Sequence, residues 1–163
     1  MLVADYDIVF QEVPDETTLA LNISDCPHHC PGCHSSYLWQ PVGDVLTPEW
    51  LQPLIDRYPY ITCVSIQGGD RDYHEVERVA QWVHMQGKKT CWYTGFAKLP
   101  EDLQMQGFDY IKVGPYIEAL GGLKSKTTNQ RFYRVEWINA DDFENGIRAS
   151  AYVLHDMTDV FWK

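Results

Sequence analysis

The sequence predicts an α/β fold arranged as an open, partial βα barrel. Three observations lead there. Apolar runs of strand length alternate with amphipathic stretches of helix length. The apolar runs end in turns rich in glycine. The chain is also too short for closure, since an eight-fold βα barrel takes about 250 residues and this one has 163. Strands that alternate with helices pair in parallel through right-handed crossovers.

A first strand is expected over residues 6–13 and a second over 18–23, where the chain reads TLALNI. Thr47 and Pro48 then open a helix, as N-cap and first helical residue, with Leu51, Leu54 and Ile55 as its apolar stripe. Residues 61–66 (ITCVSI) form the next strand, ending at Gly68-Gly69-Asp70. A second helix is expected over 73–86, because Val76, Val79, Ala80 and Val83 recur on one face. Gly87 stops it. A strand over 89–93 ends at Thr94-Gly95, a short helix fills 100–106 before Gly107, and a strand over 110–113 ends at Gly114-Pro115. In parallel sheets ligands gather at the carboxyl ends of strands. The turns after three consecutive strands therefore describe one pocket.

Composition narrows the function. Apolar residues make up 45% of the chain and aromatic ones 13%, which suits a single packed domain over 1–163. A formal charge of −10 repels phosphate backbones, so nucleic acid is not an expected partner. No apolar run has the length of a membrane span. The first residues lack a basic region followed by an apolar stretch, so a cytoplasmic location is expected.

Three of the five cysteines and three of the six histidines fall within CPHHCPGCH, residues 26–34. An odd count and a reducing compartment disfavour disulfides. Cys63 and Cys91 lie inside apolar runs and read as small buried hydrophobes. The spacing Cys-x3-Cys-x2-Cys allows three thiolates on one loop to hold three corners of an iron–sulfur cubane, with the fourth iron free of protein. Electron-transfer clusters take four cysteines, and no fourth lies nearby. A tetrahedral zinc site made of these cysteines with His28, His29 or His34 is the rival, although such sites usually draw on two separate knuckles.

The same spacing just after a strand resembles the signature of radical S-adenosylmethionine enzymes. Within that family the chain resembles the activating proteins of anaerobic ribonucleoside-triphosphate reductase. Residues 19–39 (LALNISDCPHHCPGCHSSYLW) are similar to their cluster segment, 64–70 (VSIQGGD) to their Gly-Gly-Asp segment, 92–96 (WYTGF) to Trp-x-Thr-Gly-Tyr, and 128–131 (TNQR) to a late Asn-Gln-Arg stretch. The matches keep the family's order and cover about residues 6–134. The chain departs from the family at residues 13–17, at His34 where many members have Tyr, and at Lys112-Val113-Gly114-Pro115 in place of an Asp-Gly-Lys/Arg segment.

The resemblance implies a partial barrel of the radical S-adenosylmethionine type, with the cluster loop at about 24–36. Cys26, Cys30 and Cys33 would hold a [4Fe–4S] cluster whose open iron takes S-adenosyl-L-methionine. Gly32, Cys33, His34, Gly68, Gly69, Asp70 and Thr94 would meet that cofactor. The glycine pair would admit close backbone approach at its methionine end. Asp70 would accept from its ammonium group, or else cap the following helix. His34 would lie against the adenine, or else face solvent, and Thr94 would line the pocket or simply make a turn. His28 and His29 are expected as exposed loop residues. Asn129, Gln130 and Arg131 would contact cofactor or partner, or lie on the surface. The implied activity generates the glycyl radical of the anaerobic reductase, with flavodoxin or ferredoxin as electron donor. The stretch 137–163 is a candidate docking tail whose aromatic end would pack on the chain's own core or on the partner. Two other functions stay open: a radical S-adenosylmethionine enzyme for a small molecule, and a zinc-binding interaction module.

Overall fold

The computed structural model describes residues 1–138 and 151–162. Its strands are β1 (Leu2–Val9), β2 (Thr18–Ile23), β3 (Asp44–Val45), β4 (Cys63–Gln67), β5 (Lys89–Tyr93), β6 (Tyr110–Val113), β7 (Arg131–Ile138) and β8 (Ala151–Asp156), and its helices are α1 (Pro48–Arg57) and α2 (Tyr73–Met85). The strands form one eight-stranded sheet in the order β3-β1-β2-β4-β5-β6-β7-β8. The middle four pair in parallel, and the strands on both flanks are antiparallel. The result is a mixed α/β fold with an open sheet. Among the described residues no helix is long and apolar enough to cross a membrane.

The parallel strands are in step. Leu21 stands beside Ile66, Ile66 beside Trp92, and Trp92 beside Ile111. These four are fully buried and pack with Leu51 and Ile55 of α1 and Val76, Ala80 and Val83 of α2. Burying each such side chain contributes about 1.5–3 kcal/mol, so this row and its helices supply most of the core. Side chains alternate along a strand, so the next row, Asn22, Gln67, Tyr93 and Lys112, points to the other, concave face. Lower on that face a second cluster joins Val13, Cys63, Cys91, Tyr110 and Phe132.

Both helices begin as the sequence indicates. The Thr47 side chain accepts from the Trp50 amide, and Pro48 occupies the first turn. The Asp72 side chain accepts from the Glu75 amide to start α2. Gly87 follows α2 with a φ of +72°. Cys63 and Cys91 are fully buried, as expected of small apolar residues.

Two differences from the sequence reading have physical causes. The first strand covers Leu2–Val9, not 6–13. Its partner β2 begins at Thr18, opposite Val9, which leaves residues 10–17 no strand to pair with. That loop instead drops Val13 into the lower cluster and places the buried Glu16 carboxylate against Lys89 (2.5 Å) and the Tyr110 hydroxyl (2.8 Å). Residues 100–106 form no α-helix; the stretch holds one turn, Leu103 N–H to Pro100 C=O, and a single 3-10 turn at Met105–Gly107. So short a helix must recover its nucleation cost from packing. Here the Gln104 amide, which a helix would give to Pro100, donates to Glu77 Oε1 at 2.7 Å.

The C-terminal end extends the sheet beyond β6. β7 and β8 form a hairpin arm on the sheet, followed by a 3-10 turn at Thr158–Phe161. Phe161 packs on Phe132 with ring centroids 5.1 Å apart, and Thr158 Oγ1 accepts from the Phe132 amide at 2.9 Å. The aromatic end thus returns to this chain's own core. Residues 139–150 of the expected docking tail lie outside the described residues.

Because Ile66 is sealed between strand and helices, Ile66→Ala is expected to cost about 2–5 kcal/mol, whereas Met85→Ala, at a residue 59% exposed, should stay within about 0.5 kcal/mol. Urea unfolding of both variants measures the difference.

Candidate cluster and cofactor site

The loop after β2 turns tightly. Asp25, His29 and Gly32 all have positive φ, at 62°, 45° and 74°. The Cys26 amide donates to Leu38 C=O (3.0 Å) and the Cys33 amide to Cys30 C=O (3.1 Å). The His29 ring stacks on Trp39 at 4.9 Å. The coil presents Cys26, Cys30 and Cys33 as free, half-buried thiols on the wall of one cavity of about 180 Å³. Burial pushes the Cys26 thiol above its ordinary range, while the backbone amides of His28 and His29 pull it back down. Amides aimed at a sulfur favour its thiolate form, the form that binds metal.

The cavity sits where β2, β4, β5 and β6 end. Asn22, Gln67, Tyr93 and Lys112 make its floor. Gly68, Asp70, Thr94, Gly95, Gly114 and Gln130 complete the wall from the three following loops and from the approach to β7. Gly68 has a φ of +108°, and a Cβ there would stand 3.0 Å from the Ile23 carbonyl oxygen. Only glycine takes that conformation without strain.

Asp70 is buried, at 6% exposure. Its Oδ2 accepts from His28 Nε2 (2.5 Å) and from the Gly95 amide (2.8 Å). Its Oδ1 is buried and has no hydrogen-bond partner among the described residues. The capping alternative for Asp70 fails, because Asp72 caps α2. A buried acceptor costs free energy until something donates to it, so Asp70 is shaped to receive a donor. Thr94 is buried as well, with Oγ1 accepting from the Phe96 amide at 3.0 Å.

The other sequence candidates fall elsewhere. Gly69, φ +86°, lies behind the cavity, where a Cβ would run into Val76 Cγ2 and Met1 Sδ at 2.6 Å. Gly32 is exposed and faces the Glu118 carboxylate. His34 is exposed on the rim, edge-on to Tyr116 at 5.3 Å. Asn129 donates from Nδ2 to Pro115 C=O, and Arg131 binds the Thr128 and Gln130 carbonyls. Of this late stretch, Gln130 reaches the cavity.

The sequence reading overlooked His28 and Lys112. His28 is a half-buried wall residue rather than an exposed one, held between Asp70 and the Phe96 ring (5.3 Å). Gly95 leaves room for it, since a Cβ there would lie 2.4 Å from the imidazole. For Lys112 the signal was the end of each parallel strand, where the last inward residue is polar although the strand is otherwise buried.

Three thiols spread around a cavity with polar walls suit a multi-iron cluster that has an adjacent ligand. Among the described residues, no group of three or more His, Cys, Asp or Glu side chains is gathered closely enough to hold a single metal ion. Residues 17–119 match the family described as a 4Fe-4S single cluster domain. The chain belongs to that family. It is also similar to the anaerobic ribonucleoside-triphosphate reductase-activating protein of Salmonella typhimurium, with 29% identity over 120 residues, covering 64% of this chain and 77% of that one. No solved structure matches.

In cluster-free protein kept anaerobic, a thiol-alkylating reagent should modify Cys26, Cys30 and Cys33 in the native state. Cys63 and Cys91 should react only after denaturation. Peptide mass spectrometry identifies which cysteines carry the label.

Proposed function

We propose that this chain is a radical S-adenosylmethionine activase that generates the glycyl radical of an anaerobic ribonucleoside-triphosphate reductase. One observation carries the reading. Three half-buried thiols on a single loop face the same cavity as the partnerless oxygen of Asp70, at the common carboxyl ends of four parallel strands. The name of the Salmonella relative supports the partner, and the open sheet supports a partial barrel of the radical S-adenosylmethionine type.

Cys26, Cys30 and Cys33 would hold the cluster. When bound, a [4Fe–4S] cluster with one iron free of protein supplies a single electron for cleavage of the sulfonium carbon–sulfur bond of S-adenosylmethionine. The chain's residues bind and orient. His28 and the Gly95 amide fix Asp70 Oδ2, which leaves Oδ1 to accept from the ammonium group the cofactor would bring. Gly68 lets that group come against the backbone. His34 and Tyr116 stand at the rim, where the adenosine end would emerge toward the partner's glycine. A cytoplasmic setting keeps the thiols reduced, and a reduced flavodoxin or ferredoxin is the class of donor such a cluster takes.

The test is anaerobic. Reconstituted protein, S-adenosylmethionine, a reductant and the reductase are mixed, and electron paramagnetic resonance is recorded. A glycyl doublet on the reductase is expected. Cys30→Ala should bind little iron, lose the doublet and retain the wild-type circular dichroism spectrum. A doublet of wild-type size from Cys30→Ala would refute the assignment.

A further inference from the structure

The three thiols of the cysteine loop are not held alike. The Cys30–Cys33 turn closes on itself, through the Cys33 amide and the Cys30 carbonyl. Cys26 is held through its neighbours, and from another loop. Pro27 restricts the backbone of the residue before it, so the aim of Cys26 depends on the peptide unit that joins it to Asp25. A peptide unit is planar, and this one is gripped at both edges. Its amide, on Cys26, donates to Leu38 C=O at 3.0 Å. Its carbonyl, on Asp25, accepts from Arg71 Nε at 3.3 Å. The same Nε lies 2.7 Å from Asp25 Oδ2. Asp25 has a φ of +62°, a conformation that aspartate and asparagine adopt more readily than most residues.

Arg71 belongs to the 3-10 turn Asp70–Asp72, which runs directly into α2. Its neighbour Asp70 makes the second hold, on His28, at 2.5 Å. Two consecutive residues thus grip positions 25 and 28, one on each side of Cys26. The Arg71 guanidinium is planar and always charged, with its donors in a fixed fork. The Arg71 and Asp25 side chains are 56% and 38% exposed, so their ion pair adds little to the stability of the whole fold. What it does add is local: it fixes the one peptide plane that leads into the first cysteine.

We propose that Arg71 is a positioning residue for Cys26. It locks the Asp25–Cys26 peptide plane and, with the Asp70–His28 contact, braces the first cysteine of the loop to the turn after β4. For the activity proposed above, on which the functional meaning of the brace rests, the first cluster ligand is thereby set relative to Asp70 before cluster or cofactor arrives. A site whose ligands are oriented in advance does not have to order them on binding.

The test uses cluster-free protein kept anaerobic, so its outcome does not depend on the proposed function. The alkylation rate of each cysteine is followed against pH, and the high-pH plateaus are compared, because a plateau reports access to the thiolate and not its ionisation. Arg71→Met is expected to raise the plateau rate of Cys26 by about two-fold to five-fold, the worth of an exposed ion pair, with Cys30 and Cys33 unchanged. Asp25→Asn keeps a residue suited to the left-handed turn and acts through the same contact. The double variant should therefore be no faster at Cys26 than Arg71→Met alone. An unchanged Cys26 rate in Arg71→Met would overturn the brace. So would an equal rise at all three cysteines, since Arg71 would then hold the loop as a whole, and so would single-variant effects that simply add. Cluster uptake by the wild type is scored separately and bears on the proposed function alone.

Discussion

Parallel pairing of β2, β4, β5 and β6 in step is the constraint on which the rest of the molecule depends. Strands running the same way deliver all their carboxyl ends to one rim, so loops far apart in sequence meet there. The register does a second thing. It aligns Leu21, Ile66, Trp92 and Ile111 against the helices and, one position on, Asn22, Gln67, Tyr93 and Lys112 on the concave side. A slip of one residue exchanges the two rows, because side chains alternate with a period of two. The burial of the apolar row therefore fixes the polar floor of the cavity without any contribution from the floor itself.

The rim built on this sheet holds unfavourable features that the core must offset. Asp25 and His29 sit in left-handed backbone conformations, which cost most residues about 1–2 kcal/mol. Asp70 is buried with one oxygen that receives no hydrogen bond among the described residues, and Lys112 is buried with backbone carbonyls as its hydrogen-bond acceptors. Trp92 links the two regions. Its indole packs on Phe108 in the core (5.8 Å) and donates from Nε1 to the Gly68 carbonyl at 2.8 Å, which holds the glycine turn at the rim. Strain and unmet polar groups are tolerated where the surrounding fold over-determines them, and they mark the places where a ligand has something to gain.

The legibility of the sequence follows the range of the interactions involved. The helix starts at Thr47 and Tyr73, the turn at Gly68-Gly69 and the strands 18–23, 89–93 and 110–113 rest on neighbours a few residues away, and they fall where periodicity and turn chemistry place them. The first strand was displaced because its ends depend on β2, and 100–106 stayed irregular because Glu77, more than twenty positions back, takes the Gln104 amide. β7 and β8 gave no clear signal of their own, and their order comes from pairing at the edge of a sheet already formed. Within the site the cysteine spacing was plain, since all three ligand candidates share one loop. The role of His28 was hidden because its partners, Asp70 and Phe96, arrive from other loops.

By itself, the sequence determined the cysteine loop, its likeness to iron–sulfur radical enzymes, and the alternation of strands and helices that makes an α/β chain. These are matters of residue type, spacing and count, which need no third dimension. Only the tertiary structure decided which polar residues face the cavity. It turned Gly69 to structural duty, set His34 on the rim, and brought Asp70, His28 and Lys112 together inside. The reason is that charge acts through distance and burial. Residues 28, 70 and 112 have neither a fixed distance nor a fixed burial until four strands align.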